Sequence, residues 1–460
     1  MSSSTSQAGR RIESLLDEKS FVEIGSLIRA RATDFNMKPD DTPSDGVITG
    51  YGTIDGARVY VYSQDASVMG GSIGEMHAKK ICNLYDLAMK TGTPIIGILD
   101  SSGVRLQEST DALNAIGEIY QKASMAKGLV LQIAAVYGNC GGGLSLIPAL
   151  SDFTFMETKA KLFVNSPDAI PGNYTAKNDT SACAFQSEDS GNADFVGDAD
   201  EIAAQIRQLV GMLPANNEDV AVIDSTDDLN RVVENAAGCA SDTSILLSNI
   251  ADDNLFVEAG AAYAKEMVTG FIRLDGITVG CVANRNEVIG EDGKAAEKFD
   301  GVLTVKGCRK AADFIYFCDS FGIPVLSITN VKGYEASMCS EKNIARAAAE
   351  LIGAFTNCDV PRVNLIVGKA LGSAYAVMNS KACGCDLTYC WPDAEIGAME
   401  SKLAAKLIAK DADEINKTAD ALASLQNSAA GAAAHGYVDG VIEPDDTRKH
   451  LIYAFEMLFA

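Results

Sequence analysis

The chain has 460 residues, 47% of them hydrophobic and 22% charged, which suits two domains of roughly 200–250 residues rather than one. Its 38 Lys and Arg face 62 Asp and Glu, a net charge of −24 that repels nucleic acid phosphates. No run of about 18 apolar residues occurs, and the N-terminal MSSSTSQAGRRIESLLDE has no apolar core, so a spanning helix and a secretory signal are not expected and a cytoplasmic place is, with peripheral attachment to a membrane complex left open.

In chain order, Phe21-Val-Glu23 and Asp55-Gly56 are the first landmarks, followed by the Gly-rich stretch Met69–His77 just ahead of a predicted helix. Gly92-Thr-Pro94-Ile-Ile-Gly-Ile-Leu-Asp100-Ser-Ser-Gly103 reads as a buried strand closing on a glycine turn. The helix after it places Leu113, Ile116, Gly117, Tyr120 and Ser124 on one face. Leu129–Val136 is almost wholly apolar, as a strand covered on both faces should be. The turn Gly138-Asn-Cys-Gly-Gly-Gly-Leu144 follows it. Residues 172–200 form a polar, Gly/Ser/Asn-rich excursion. A helix is then predicted over Asp198–Met212, with Asp198 or Asp200 as its N-cap and Leu213-Pro214 as its end. A domain boundary near 225 gives domains 1–225 and 226–460.

The second half echoes the first. Pro94 and Pro324, Gly103 and Gly333, and Gly142 and Gly372 each stand 230 residues apart. Arg362–Val367 repeats the apolar strand and Gly368-Lys-Ala-Leu-Gly-Ser-Ala374 the turn after it. With small shifts, Asp152-Phe-Thr-Phe155 pairs with Asp386-Leu-Thr-Tyr389, Asp55-Gly56 with Asp275-Gly276, and Phe21-Val-Glu23 with Phe256-Val-Glu258. Such a long period marks a duplicated domain rather than a repeat array. Each copy reads strand, Gly turn, helix, strand, Gly-rich turn, helix, an α/β arrangement with largely parallel strands.

The two Gly-rich turns are where chemistry is expected. Small residues between a strand and a helix free backbone N–H groups at the helix start, where they can hold an oxygen that develops negative charge. Neither turn is a Walker A loop or a dinucleotide fingerprint. Only three histidines exist, His77, His435 and His450, which disfavours Ser/His/Asp and zinc-hydrolase designs. His77, Glu75, Asp100 and Glu108 read as structural groups. The twelve cysteines lie mostly in apolar stretches, with no Cys-x-x-Cys, and Cys383, Cys385 and Cys390 read as reduced thiols rather than metal ligands, so no metal is expected.

The chain resembles the biotin-dependent acyl-CoA carboxyltransferase family along nearly its whole length. The resemblance is carried by Arg11–Asp17, Asp45–Thr53, Gly70–Lys80, Asp100–Glu108, Val268–Gly276, Ala312–Pro324, Gly436–Pro444 and Thr447-Arg448. It implies two tandem crotonase-like domains, the first serving the acyl-CoA and the second biotin. It implies that the backbone N–H groups of Gly143 and Leu144 hold the thioester oxygen, and those of Ser373 and Ala374 the biotin ureido oxygen. Gly103, Arg105, Gly141, Gly142, Lys369, Gly372 and Ala376 are expected to line the substrate sites, Ala376 at the family position that helps set acyl-chain length. The implied activity is transfer of a carboxyl group between biotin and the α-carbon of an acyl-CoA.

No Met-Lys-Met biotinylation motif and no ATP-grasp segment is present, so biotin is expected on a separate biotin carboxyl carrier protein, with biotin carboxylase or membrane decarboxylase subunits as further partners. The family's site lies between the N-domain of one subunit and the C-domain of another, which implies at least a homodimer and commonly a hexamer. The chain departs from the family at Gly368, Leu371 and Ser373, where Arg, Tyr and Gly are usual, and at Val331-Lys-Gly-Tyr334 in place of Val-Pro-Gly-Phe. Gly141-Gly-Gly-Leu144 replaces Ala-Gly-Gly-Ala, and the family's Gly-Gly-x-x-x-His element is missing from 172–195. Direction, carboxylation or decarboxylation, is left open. Two other readings also stand at this point: a catalytically silent assembly subunit, and a stand-alone crotonase-like acyl-CoA enzyme.

Overall fold

Apolar β-branched runs form the middle of two eight-stranded sheets, one in each of two units, Met1–Asp219 and Val220–Ala460. The computed structural model describes residues 6–31, 42–409, 411 and 414–459. In the first unit the strands are β1 (Val22–Glu23), β2 (Val47–Ile54), β3 (Ala57–Gln64), β4 (Ile95–Ser101), β5 (Gln132–Gly141), β6 (Phe153–Glu157), β7 (Lys161–Phe163) and β8 (Phe195–Gly197). Their order is β1-β2-β3-β4-β5-β6-β8, with β7 also beside β5. The pairs β1-β2 and β2-β3 are antiparallel and the rest parallel. The helices are α1 (Gln7–Leu15), α2 (Glu75–Thr91), α3 (Thr110–Ala126), α4 (Leu146–Leu150) and α5 (Ala199–Met212).

The second unit repeats this plan strand for strand. Its strands are β9 (Val257–Ala259), β10 (Met267–Leu274), β11 (Ile277–Asn284), then a separate hairpin of β12 (Glu287–Ile289) and β13 (Ala295–Lys298), then β14 (Val325–Val331), β15 (Arg362–Leu371), β16 (Leu387–Cys390), β17 (Glu395–Gly397) and β18 (Gly440–Val441). The order β9-β10-β11-β14-β15-β16-β18, with β17 beside β15, reproduces that of the first sheet, and so does the sense of every pairing. Its helices begin with α6 (Thr243–Ile250), α7 (Val305–Ser320), α8 (Ile344–Thr356) and α9 (Gly372–Val377). They continue with α10 (Ser401–Ile408), α11 (Ile415–Leu425), α12 (Ala429–Ala434) and α13 (Thr447–Leu458).

The hairpin β12-β13 explains why the offset between the copies changes. The last residues of β3 and β11, Gln64 and Asn284, stand 220 apart, and Ile73 and Leu303 stand 230 apart. Ile73 bridges Val104 and Leu303 bridges Tyr334, both in parallel sense, so the two positions are equivalent. The insertion lies between them.

Polar anchors are duplicated as well as strands. The β2-β3 turn at Asp55-Gly56 donates two N–H groups to Asp17, and the β10-β11 turn at Asp275-Gly276 donates two to Asp252. An arginine from a late helix of each unit binds that carboxylate: Arg207 on α5 reaches Asp17 at 2.9 Å, and Arg448 on α13 reaches Asp252 at 2.6 Å. The ammonium of Lys80 on α2 donates to the carbonyls of Ser44 and Val47, and that of Lys310 on α7 to the carbonyls of Gly260, Tyr263 and Met267. Both lysines, 230 residues apart, pin the segment that leads into the equivalent strand, β2 in one unit and β10 in the other.

The predicted helix at 198–212 forms as α5, capped by Asp198 with a reciprocal bond from Glu201. The predicted apolar face of α3 is shifted. Its buried residues are Ala112, Ala115, Ile116, Ile119, Ala123 and Ala126, whereas Leu113, Gly117 and Ser124 are exposed and only Ile116 is shared with the buried stripe. Small alanines let α3 lie close to α2, so the larger apolar side chains do not mark the inner face.

The two clamps differ in burial, and that decides their worth. The Arg448 side chain is fully buried and its partners Asp252 and Asp227 nearly so, while Arg207 and Asp17 are each more than a quarter exposed. Removing one partner of a buried ion pair strands a charge and costs about 3–5 kcal/mol, whereas exposed pairs contribute roughly 0–1 kcal/mol. Arg448→Met is therefore expected to lower the thermal midpoint strongly or to prevent folding, and Arg207→Met to shift it by a few degrees. Equal shifts would show that burial does not govern the clamp.

Candidate active site

Both Gly-rich turns hang on a side chain at the end of the preceding parallel strand. The register of β4 against β5 breaks between Leu99 and Ser101, and that of β14 against β15 between Thr329 and Val331. At the break sit Asp100 and Asn330. Asp100 Oδ1 accepts the N–H of Asn139 at 3.3 Å, and Asn330 Oδ1 accepts that of Lys369 at 3.0 Å. A Cβ at Gly138 would lie 2.0 Å from Asp100 Oδ1, and one at Gly368 2.6 Å from Asn330 Oδ1. Glycine at these two positions is what lets the side chain approach the neighbouring strand. The backbone N–H groups of Asp100 and Asn330 in turn donate to Gln64 Oε1 and Asn284 Oδ1, both at 3.1 Å.

Beyond this anchor the chain turns into a helix in the same way twice. Gly141 and Leu371 are extended, and Gly142 and Gly372 take φ of +63° and +62°, the left-handed region that glycine enters freely. The N–H groups of Gly143 and Leu144 then lead the helical turn Gly142–Ser145, and those of Ser373 and Ala374 lead α9. The first N–H groups of a helical turn have no partner inside it. Gly143 and Ser373 are exposed, while Leu144 and Ala374 anchor their turns in the interior. The structure thus brings Gly141, Gly142, Gly143 and Leu144 together at one turn and Gly372, Ser373 and Ala374 at the other. Lys369 precedes the second turn and pairs with Glu400 at 2.5 Å, and Ala376 sits half-buried on α9.

The first turn is further held by hydroxyls that sequence reasoning missed. Tyr120 on α3 donates to the carbonyl of Gly143 at 2.6 Å, and Ser145 Oγ to that of Gly142 at 2.7 Å. These bonds fix the orientation of both carbonyls. Tyr120 stood on the predicted helix face, but nothing in its spacing distinguished a hydrogen bond from packing.

Gly103 and Arg105 lie in the loop after β4. Gly103 has φ +100° and its carbonyl accepts the N–H of Ile73 at 2.8 Å, tying the loop to the Gly-rich stretch before α2. Arg105 is not placed to touch a substrate. Its guanidinium is wholly buried between Asp45 at 2.5 Å and Glu108 at 2.8 Å, and also donates to the carbonyl of Ser72 at 2.8 Å. Its role is to brace the loop, and the expectation of a substrate contact is corrected accordingly. Glu108 also accepts the N–H of Glu75 at 2.7 Å, at the start of α2, as befits the structural group the sequence suggested.

His77 is fully buried against the same cluster. Its backbone N–H donates to Asp45 Oδ2 at 2.7 Å, and its ring nitrogens lie 3.0 Å from the Asp45 carbonyl and 3.3 Å from Gln64 Nε2. With the Gln64 carbonyl committed to Asp100, the Gln64 amide N–H faces His77 Nε2, which must accept. The ring is therefore neutral, with its proton on Nδ1 facing the Asp45 carbonyl. Burial, with the Arg105 charge adding to it, lowers its pKa to about 3. Asp45, Arg105, His77, Gln64 and Asp100 form one polar chain that ends at the first turn.

Among known proteins, the family model described as carboxyl transferase domain matches residues 5–460. The propionyl-CoA carboxylase beta chain of Roseobacter denitrificans is 38% identical, over 98% of this chain and 90% of its own length. The methylmalonyl-CoA decarboxylase subunit alpha of Veillonella parvula is 36% identical, over 98% and 89%. The crystal structure of transcarboxylase 12S, described as a hexamer with methylmalonyl-coenzyme A and methylmalonic acid bound, superposes with a TM-score of 0.90 at 34% identity, covering 98% of this chain and 89% of that one. It is a crotonase-fold carboxyltransferase with two tandem domains, and the fold here is the same.

The polar chain makes the first unit sensitive to acid. Unfolded histidine binds a proton near pH 6.5, and native His77 only near 3. Between those values the unfolded state holds more protons, so stability falls as pH falls, by about 2 kcal/mol on reaching about pH 5. His77→Gln removes this slope. The difference in thermal midpoint between wild type and His77→Gln is expected to shrink from neutral pH to about pH 5; a gap independent of pH would contradict a neutral His77.

Proposed function

The chain belongs to the carboxyl transferase domain family and is a carboxyltransferase of the propionyl-CoA carboxylase and methylmalonyl-CoA decarboxylase type; from that premise we propose that it moves a carboxyl group between biotin on a separate carrier protein and the α-carbon of an acyl-CoA. The observation that carries this reading is the duplicated turn. Two leading N–H groups follow a left-handed glycine at 142 and again at 372, each set braced by a side chain from the neighbouring strand.

In this reading the N–H groups of Gly143 and Leu144 receive the thioester oxygen. Removing the α-proton of an acyl-CoA places negative charge on that oxygen, and donors already fixed in place stabilise it without reorganising. Gly141 and Gly142 keep the approach to the turn clear of side chains. The N–H groups of Ser373 and Ala374, with Gly372 before them, would hold the ureido oxygen of biotin. The donor set suits a urea carbonyl, and Tyr334, which bonds Ser373, also lines a cavity of about 460 Å³ together with Glu335, Glu341, Ile344, Ala348 and Ile352. Biotin, when bound, would give or receive the carboxyl group and, in the carboxylation direction, supply the base. That division suits a chain whose candidate acid–base side chains, His77, Asp45 and Glu108, are buried in structural bonds.

The first domain would thus serve the acyl-CoA and the second biotin, with Ala376 on α9 bearing on the acyl group accepted. The partners are the biotin carboxyl carrier protein and either a biotin carboxylase or membrane decarboxylase subunits, which would set the direction. By likeness to the transcarboxylase 12S hexamer the chain is a homo-oligomer, a dimer at least. Among the described residues no helix is long and apolar enough to cross a membrane.

Gly143→Pro deletes one donor of the first turn, and loss of a single oxyanion donor lowers turnover by about 10²–10³. Gly143→Ala is its control, since it keeps the N–H while adding the same Cβ 2.7 Å from the Tyr120 hydroxyl. In decarboxylation of methylmalonyl-CoA with free biotin, the Pro variant is expected to fall by that factor and the Ala variant by much less. Equal rates for folded wild type and Gly143→Pro would remove the thioester oxygen from this turn.

A further inference from the structure

The two turns share backbone geometry and anchoring, yet they are dressed differently, and the difference is a pair of hydroxyls. In the second unit Tyr334 donates its hydroxyl proton to Ser373 Oγ at 3.2 Å. The positions 230 residues earlier are Val104 and Gly143, neither of which carries a hydroxyl. Both Tyr334 and Ser373 are departures from the family pattern, thirty-nine residues apart in sequence, and the fold brings them into direct contact.

We propose that the Ser373 hydroxyl, oriented by Tyr334, is a third donor at the second turn and a determinant of biotin binding in this chain. This rests on assigning the second turn to the ureido oxygen. The argument is one of proton direction. A phenol is the better acid of the two, and here it donates to Ser373 Oγ, leaving the serine proton to point elsewhere. Accepting a bond from Tyr334 also polarises the serine hydroxyl and makes it a stronger donor. Ser373 is exposed, and its hydroxyl stands on the residue whose backbone N–H is itself a proposed donor to the ureido oxygen. Tyr334 also lines a cavity shared with Glu335, Glu341, Ile344 and Ala348, so the residue that orients Ser373 forms part of that wall. At the first turn the tyrosine does the opposite: the Tyr120 hydroxyl binds the Gly143 carbonyl, fixing the backbone without adding a donor. Tyr334 is accordingly a positioning residue, acting through Ser373.

The test uses the full chain with free biotin as probe. Affinity is followed by saturation-transfer NMR and turnover by methylmalonyl-CoA decarboxylation, for Ser373→Ala, Ser373→Gly, Tyr334→Phe and the Ser373→Ala/Tyr334→Phe double variant. Loss of one hydrogen bond predicts biotin affinity weakened about 3–10-fold in both serine variants, with the KM for acyl-CoA unchanged. Tyr334→Phe should show a smaller loss, and the double variant should be no worse than Ser373→Ala, because the tyrosine has no other route to the ligand. Unchanged or tighter biotin binding in Ser373→Ala and Ser373→Gly would overturn the proposal, as would additive losses in the double variant. Ala374→Pro separates this failure from a failure of the assignment beneath it. If that loss of a backbone donor abolishes biotin binding while Ser373→Ala does not weaken it, only the hydroxyl pair is wrong; if neither folded variant affects biotin, the second turn is not the biotin site.

Discussion

The structure depends on a close approach between neighbouring parallel strands. At the end of β4 and again of β14, a short polar side chain leans onto the next strand, occupies the space of a missing Cβ, and takes a backbone N–H one residue further on. The register slips at that point in both sheets. Everything that follows, the left-handed glycine, the helical turn and the direction of its leading N–H groups, is set by where the strand is released. Asp100 and Asn330 differ in charge, yet both work through one acceptor oxygen, so the geometry survives the exchange. The charge of Asp100 is met by Arg11 at 3.0 Å; Asn330 instead uses its amide N–H to bind the Ala240 carbonyl at 3.2 Å.

Around these anchors the basic side chains hold backbone. Arg105, Arg448, Lys80 and Lys310 each bind internal carbonyls or carboxylates. Charges held inside a protein need strong partners: the two arginines are ion-paired with carboxylates, and the two lysines are ringed by carbonyl oxygens. Their positions explain why a sequence motif such as Asp100–Glu108 looks functional: it contains the arginine and the glutamate that brace a loop beside the turn, without themselves facing a ligand.

How much of this was legible in the sequence follows from what each signal measures. The 230-residue offset read out the duplication because Gly-Pro pairs and turn glycines meet backbone demands that tolerate little substitution. Asp198 announced the start of α5 because a cap is a local bond between residues two or three apart. The inner face of α3 was misjudged because size and hydropathy favoured Leu113 over Ala112 and Ala115, whereas close helix contact favours the small residues. Arg105 was read as a substrate contact from the family resemblance, because its partner Asp45 is sixty residues away and no spacing reveals the pair. The Tyr334–Ser373 bond was hidden for the same reason, although each residue stood out singly as a departure.

Duplicated domains can diverge only where the scaffold does not depend on the residue. The strand order, the turn glycines and the anchoring acceptors are shared, and the hairpin β12-β13 is accommodated between equivalent positions without disturbing the register beyond it. The side chains beside the leading N–H groups differ: the Tyr120 hydroxyl binds the Gly143 carbonyl at one turn, and the Tyr334 hydroxyl binds the Ser373 hydroxyl at the other. A thioester oxygen gains its charge during the reaction and is best served by backbone donors held still, and in the proposed assignment the Tyr120 bond to the Gly143 carbonyl would hold them. A urea oxygen is an acceptor before reaction, so in the proposed assignment an added hydroxyl at the second turn would act on binding as well as on turnover. On the proposed assignment, one scaffold, copied once, would hold two oxygens of different chemistry by changing the side chains beside the turn and leaving the turn alone.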